Sequence, residues 1–320
     1  MQIIGDIFNI VLFLTVVVGA FSLLSLLANR VLRFTLPLWF SVCGMAAYIV
    51  PVLAPGLYLV PPEAHSWIDV YYPMCTVWFC GTIFFVLYDI VKTALAHRGL
   101  RGYRVCDDER INAVYARCVQ LVGLKKTPPV YFGTLDDPAC VVGALYPAII
   151  LNESIMKQLT DAELMTVLSH EATHIKRGHL ILGRVYDYIC ILHWFNPFAW
   201  IAKKDFDVHC EIDCDQNALA ALENKITDAG YANAMLHLYG LSAISSSSTG
   251  GGMSALGFLV AKRRIELVMS RPSKAKRIVV AAILAVMLAM VITFSMSISR
   301  GYYYPYPAYG TGLEYSDIGA

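Results

Sequence analysis

The chain has 320 residues, 57% of them hydrophobic and only 15% charged, whereas an ordinary soluble domain is about half apolar and about a quarter charged. That composition excludes a wholly soluble enzyme and places part of the chain in lipid. A formal net charge of +1 leaves no strongly basic domain to neutralise phosphates, which excludes direct nucleic-acid binding as the main role.

In chain order, four apolar runs reach the roughly 20 residues needed to cross a hydrocarbon core: Ile3 to Leu27, Leu36 to Val60, Tyr71 to Ala94 and Ile278 to Ile298. Arg30 and Arg33 lie between the first two runs, whereas Pro61 to Val70 carry Glu63 and Asp69 and no Lys or Arg. Lys92, Arg98, Arg101 and Arg104 follow the third run, and Lys262, Arg263, Arg264, Arg271, Lys274, Lys276 and Arg277 precede the fourth. The positive-inside rule then puts the N-terminus outside, residues 97–277 in the cytoplasm and the C-terminus outside. The first run lacks the basic flank and small-residue cleavage site of a signal peptide, so it is expected to be retained. The expected organisation is three spans over 1–96, a cytoplasmic domain over 97–277, a fourth span over 278–298 and a short external tail over 299–320. None of the nine cysteines falls in an external segment, so structural disulfides are not expected.

The cytoplasmic domain opens with a helical pattern from Asp107 to Gly123, with Ile111, Val114, Tyr115, Cys118, Leu121 and Val122 on one face. Short candidate strands follow at Val130 to Phe132, Ala139 to Gly143 and Ala148 to Leu151. Thr160 and Glu163 have the spacing of a capping box, which predicts a helix from Asp161 to Gly178.

On that helix lies Ser169-His-Glu-Ala-Thr-His174. Residues four apart share a helix face, so His170 and His174 can present two imidazoles to one zinc ion, and Glu171 can hold a water as general base. If Glu211 is the third ligand, Asp215 falls one turn later and can accept the free N–H of a ligating imidazole. Two histidines, one carboxylate and an open position make a hydrolytic rather than a structural zinc site. The alternative is a closed site of soft ligands from His209, Cys210 and Cys214, which leaves the HExxH pattern without a purpose. His179 and His193 lie nearby; lone histidines are more often structural than catalytic.

The pairing of HEATHIKRGH with HWFNPFAW (His193 to Trp200) and EIDCD (Glu211 to Asp215) resembles the membrane metallopeptidase family of the BlaR/MecR sensor-transducers, over roughly residues 1 to 300. The resemblance implies a polytopic α-helical protein of the bacterial cell membrane, with four transmembrane helices and an inserted cytoplasmic α+β, gluzincin-like zinc-peptidase domain. It also implies one catalytic zinc ion held by His170, His174 and Glu211, with Glu171 as base. The implied partner is a protein substrate, the chain itself or a cytoplasmic winged-helix repressor; a homodimer is left open. The antibiotic sensors continue into an external penicillin-binding domain, whereas only about twenty residues follow Ile298. That tail, rich in Tyr, Pro and Gly, is expected to be disordered or to lie at the lipid interface.

Three further expectations concern the surroundings of the site. Leu180 to Ala202 is apolar enough to suggest a fifth span, but a crossing there would part His170 from Glu211, so the segment must go in and come back. The strand Ala148, Ile149, Ile150 and Leu151 is either the sheet edge to which an extended substrate adds or an ordinary core strand. Ser242 to Gly252 reads as a flexible loop, either a surface linker or a self-cleavage segment. The competing functions are a membrane quality-control peptidase, resembling the HtpX and CAAX-processing group, and a non-catalytic receptor.

Overall fold

The computed structural model describes residues 68–248 apart from 101, 136 and 224, together with helical positions 19, 38, 41, 42, 45, 261, 262, 264–266, 278, 279, 282, 286 and 289. The first, second and fourth expected spans and the tail otherwise lie outside the described residues. The third is helix α1 (Ile68–Leu100), within which Pro73–Leu95 is long and apolar enough to cross a membrane. Most of its surface is open, with Val77, Phe84, Leu87 and Leu95 more than half exposed. Its inner side is committed: Asp89 accepts two hydrogen bonds from Arg184, at 3.2 and 3.0 Å, and the Trp78 indole donates to Leu192 O at 3.0 Å. A Cβ at Gly81 would stand 2.6 Å from the Trp194 ring, so the glycine is what lets the two surfaces meet.

After β1 (Arg104–Val105) comes α2 (Glu109–Val122). The Asp108 carboxylate accepts from Ile111 N at 3.1 Å and opens α2, and Gly123 closes it in the left-handed region at φ 78°. The buried face holds Val119 in place of the expected Leu121, which is 38% exposed. Strands β2 (Val130–Phe132), β3 (Ala139–Val142) and β4 (Ala148–Leu151) join β1 in one sheet of order β1-β2-β4-β3. The β2–β4 pair is parallel and the two flanking pairs are antiparallel. The third strand ends one residue before its expected limit because Gly143, at φ 84°, turns the chain; a Cβ there would lie 2.4 Å from Tyr146 O.

This order corrects the expectation that Ala148, Ile149, Ile150 and Leu151 form an edge. β4 is paired on both sides, and Ile149, Ile150 and Leu151 are at most 1% exposed. Among the described residues the edge beside β4 is β3. One core cluster joins α2, the sheet and the next long helix, with Ile111, Cys118, Ile149, Leu164 and Leu168 at its centre.

One turn, α3 (Glu153–Met156), leads to α4 (Asp161–Arg177), whose capping box is present. The Thr160 N–H donates to Glu163 Oε2 at 2.8 Å, and Glu163 N donates to Thr160 Oγ1 at 3.4 Å. Gly178, at φ 68°, both closes α4 and opens α5 (His179–Leu192). The chain then turns at His193 to Asn196 and returns as α6 (Pro197–Ala221), begun by the Asn196 side chain accepting from Phe198 N at 2.9 Å. The apolar 180–202 segment is therefore two helices joined by a turn, and α6 comes back to α4. A cluster of Tyr186, Ile189, Phe206 and Cys210 between α5 and α6 also takes in Leu38 and Met45 from the second expected span.

The last long helix is α7 (Asp228–Ser248). It corrects the reading of Ser242 to Gly252 as a flexible loop: 242–248 are helical, and 249–252 lie outside the described residues.

Candidate metal centre

Three donor groups from α4 and α6 converge. His170 Nε2 and His174 Nε2 lie 3.1 Å apart, and the Glu211 carboxylate puts one oxygen 3.3 Å from the first and the other 3.4 Å from the second. A tetrahedral zinc with bonds of 2.0–2.1 Å sets its ligand atoms roughly 3.3–3.4 Å apart. Each of the three spacings is therefore close to that of two ligand atoms on one such ion, the two carboxylate spacings ending on different oxygens of Glu211.

Each imidazole is held from behind. His170 Nδ1 lies 3.0 Å from Asp215 Oδ1, the one-turn partner expected from the sequence. The Asp215 carboxylate also accepts from Arg264 Nε at 2.7 Å, from Arg264 Nη2 at 2.9 Å and from the Tyr231 hydroxyl at 3.1 Å. Arg264 Nη1 lies 2.9 Å from Glu211 Oε2 and donates to the Tyr239 oxygen at 3.0 Å. His174 Nδ1 instead meets His179 Nδ1 at 3.3 Å, and His179 Nε2 lies 3.2 Å from Asp213 Oδ2. For His174 to offer its Nε2 lone pair, its Nδ1–H must donate to His179, whose own proton then sits on Nε2 facing Asp213.

These contacts set the charges. Burial opposes ionisation of Asp215, but Arg264 prevails and holds the carboxyl down at about 2. Glu211 is likewise held well below the usual carboxylate range, against its burial, chiefly by Arg264. Burial would lower the His170 imidazole, but its contacts with Asp215 and Glu211 push it up to about 10. Burial lifts Glu171 above an ordinary glutamate. It interacts electrostatically with His170, His174 and Glu211, and with Cys140 on β3, so Glu171 is near both the converging donors and that strand.

Cys214 Sγ also comes within 4.8 Å of the two histidine donors, which makes His170, His174 and Cys214 a second geometric candidate. Only a thiolate ligates, and burial raises Cys214 well above its ordinary value. Its sulfur is moreover 3.2 Å from His179 Nδ1. Glu211, held ionised chiefly by Arg264 against its burial, presents a carboxylate to both imidazoles without needing to lose a proton. The soft set of His209, Cys210 and Cys214 is dispersed: His209 Nδ1 meets Ser41 Oγ at 2.7 Å and Cys210 packs in the apolar α5–α6 cluster. His193 is fully buried in the turn before α6.

The sequence reading missed Arg264, Tyr231 and Tyr239 and took His179 for a structural residue. Arg264 was counted as a topological charge before the fourth span; its side chain is only 14% exposed. A signal existed for His179 alone, five residues beyond His174 and hence just past the end of that helix, as the first residue of the next.

The sequence profile of the family described as BlaR1 peptidase M56 matches residues 59–268. The methicillin resistance mecR1 protein of Staphylococcus aureus is 29% identical over 155 residues, 47% of this chain and 26% of the relative, and that of Staphylococcus epidermidis matches equally. The regulatory protein BlaR1 of Bacillus licheniformis is 24% identical over 194 residues, 61% of this chain and 32% of the relative. The matched region thus spans between a quarter and a third of the length of these curated relatives.

Proposed function

The chain belongs to the BlaR1 peptidase M56 family, and from that premise we propose that it is a membrane-embedded zinc endopeptidase acting at the cytoplasmic face in signal transduction. His170, His174 and Glu211 would hold the ion, Asp215 and His179 would orient the two imidazoles, and Glu171 would be the base. The observation that carries this reading is the donor triangle of 3.1, 3.3 and 3.4 Å with Glu171 beside it. Zinc, when bound, supplies the Lewis acidity that acidifies water and polarises a carbonyl.

The chain's own residues then divide the remaining work. Glu171, raised above an ordinary glutamate by burial, takes a proton from the attacking water and delivers it to the leaving amine. An extended substrate adds to the free edge of β3 (Ala139–Val142), which takes over the place first given to β4 and lies near the base. The open apolar face of α1 meets lipid, with three further spans as the charge pattern implies. The substrate class is a protein, either a cytoplasmic repressor or the chain itself.

The test compares new protein N-termini in cells making the wild type with those in cells making Glu171→Gln. One or two specific cuts that vanish in the variant, in a DNA-binding repressor or in this chain, support the reading. Many lost cuts across misfolded membrane proteins would replace it with quality control, and identical profiles under several stresses would replace it with a receptor.

A further inference from the structure

Hydrolysis of a peptide bond needs a donor for the carbonyl oxygen as it becomes negative. The geometry points to Tyr239 as that donor, an assignment that rests on the peptidase reading above. Tyr239 lies on α7, where the sequence shows no chemical motif, and its ring packs half-buried against the cluster of Leu219, Leu222, Tyr231 and Met235. Its oxygen accepts from Arg264 Nη1 at 3.0 Å, and that nitrogen lies 2.9 Å from Glu211 Oε2. The phenol oxygen therefore stands two polar contacts from the donor triangle. Asp215, Glu211 and Asp137 are all near enough to act on it electrostatically, so the phenol shares the neighbourhood of the carboxylate donor and of the stretch leading into β3.

Proton bookkeeping separates Tyr239 from the other donors in the cluster. Tyr231 is fully buried and its hydroxyl donates to Asp215 at 3.1 Å, so that proton is committed. The Arg264 nitrogens point to Asp215, Glu211 and Tyr239, with Nη2 also 3.5 Å from His170 Nε2, and His179 faces Asp213. Tyr239 already receives a hydrogen bond from Arg264, so its own O–H is directed away from the guanidinium, and among the described residues it has no acceptor. A phenol that accepts from a cation is also the stronger donor.

In the reaction the water oxygen bonds to the carbonyl carbon and the C=O π pair moves to oxygen. Tyr239 donates a hydrogen bond to that oxygen without losing its proton. Glu171 carries the water proton to the amine nitrogen as the C–N bond breaks.

The full chain in lipid or detergent is compared as wild type, Tyr239→Phe and Glu171→Gln, following the Glu171-dependent cuts kinetically, with zinc release to a chelator and the thermal midpoint read in parallel. Tyr239→Phe is expected to lower kcat roughly 100- to 1,000-fold, with KM, zinc retention and midpoint little changed. An undiminished kcat overturns the assignment. So does a loss that tracks faster zinc release, because Tyr239 would then only support Arg264. A wild type with no Glu171-dependent cut overturns the peptidase reading itself, and this assignment with it.

Discussion

His170 and His174 stand one turn apart on α4 and face the same meeting point, yet what lies behind them is unlike. Behind His170 is a charged assembly in which Asp215 is buried, Arg264 largely so, and Glu211 shares the guanidinium. Behind His174 is a second imidazole, and a carboxylate comes only after it, at Asp213. Both arrangements place a polar partner at the imidazole nitrogen turned away from the meeting point. Only the first ties the integrity of the site to a balance of buried charge, where losing one partner costs far more than the pair contributes.

The largest effect should come from breaking that balance. Arg264→Met leaves Asp215 buried and uncompensated, and should lower unfolding stability by about 3–5 kcal/mol, read from chemical denaturation in detergent. Adding Asp215→Asn should recover part of that loss, because the stranded charge is gone. Next comes Asp215→Asn alone, which keeps the shape but not the charge behind His170. It should speed zinc release to a chelator by roughly 10- to 100-fold.

The pH dependence of the zinc-free protein sharpens the contrast. Asp215 is pushed from 3.8 down to about 2, so its contribution of about 2 kcal/mol is present above pH 3.8 and is lost as pH falls toward 2. His170 is pushed from 6.5 up to about 10, so its contribution is complete below 6.5 and is lost as pH rises through 10. Asp215→Asn should flatten both limbs of the thermal midpoint against pH.

The smallest effects belong to the neutral half. His179→Gln should speed zinc release by no more than about tenfold, and Cys214→Ser by less still. If either exceeded Asp215→Asn, the ranking of the two halves would be reversed.

The face that brings His170 and His174 together was legible because its information is local. Histidines four apart and a Thr160–Glu163 box both depend only on the 3.6-residue turn, and α4 runs as that turn dictates. Arg264 was not legible: it lies 53 residues beyond Glu211, and nothing near it in sequence says that a guanidinium before an apolar run will be drawn inward. Strand order was hidden for a similar reason. A run such as AIIL shows that β4 is buried but not which neighbours bury it, and the parallel pairing with β2 that makes it central is a long-range contact. The swap of Leu121 for Val119 on the α2 face is a small rotation of the helix, set by what packs against it.

Gly178 carries a consequence of its own. Because α4 ends and α5 begins at this single residue, the angle between the two helices is a function of one φ, ψ pair, and so is the meeting of His174 with His179 across it. A Cβ at 178 would find nothing within 4 Å, so the pose is held by the torsion at φ 68° and not by crowding. Gly178→Ala would therefore strain this pivot through its torsion alone, with no clash of the added methyl, and any change of angle would be felt where α5 packs on α1 and α6.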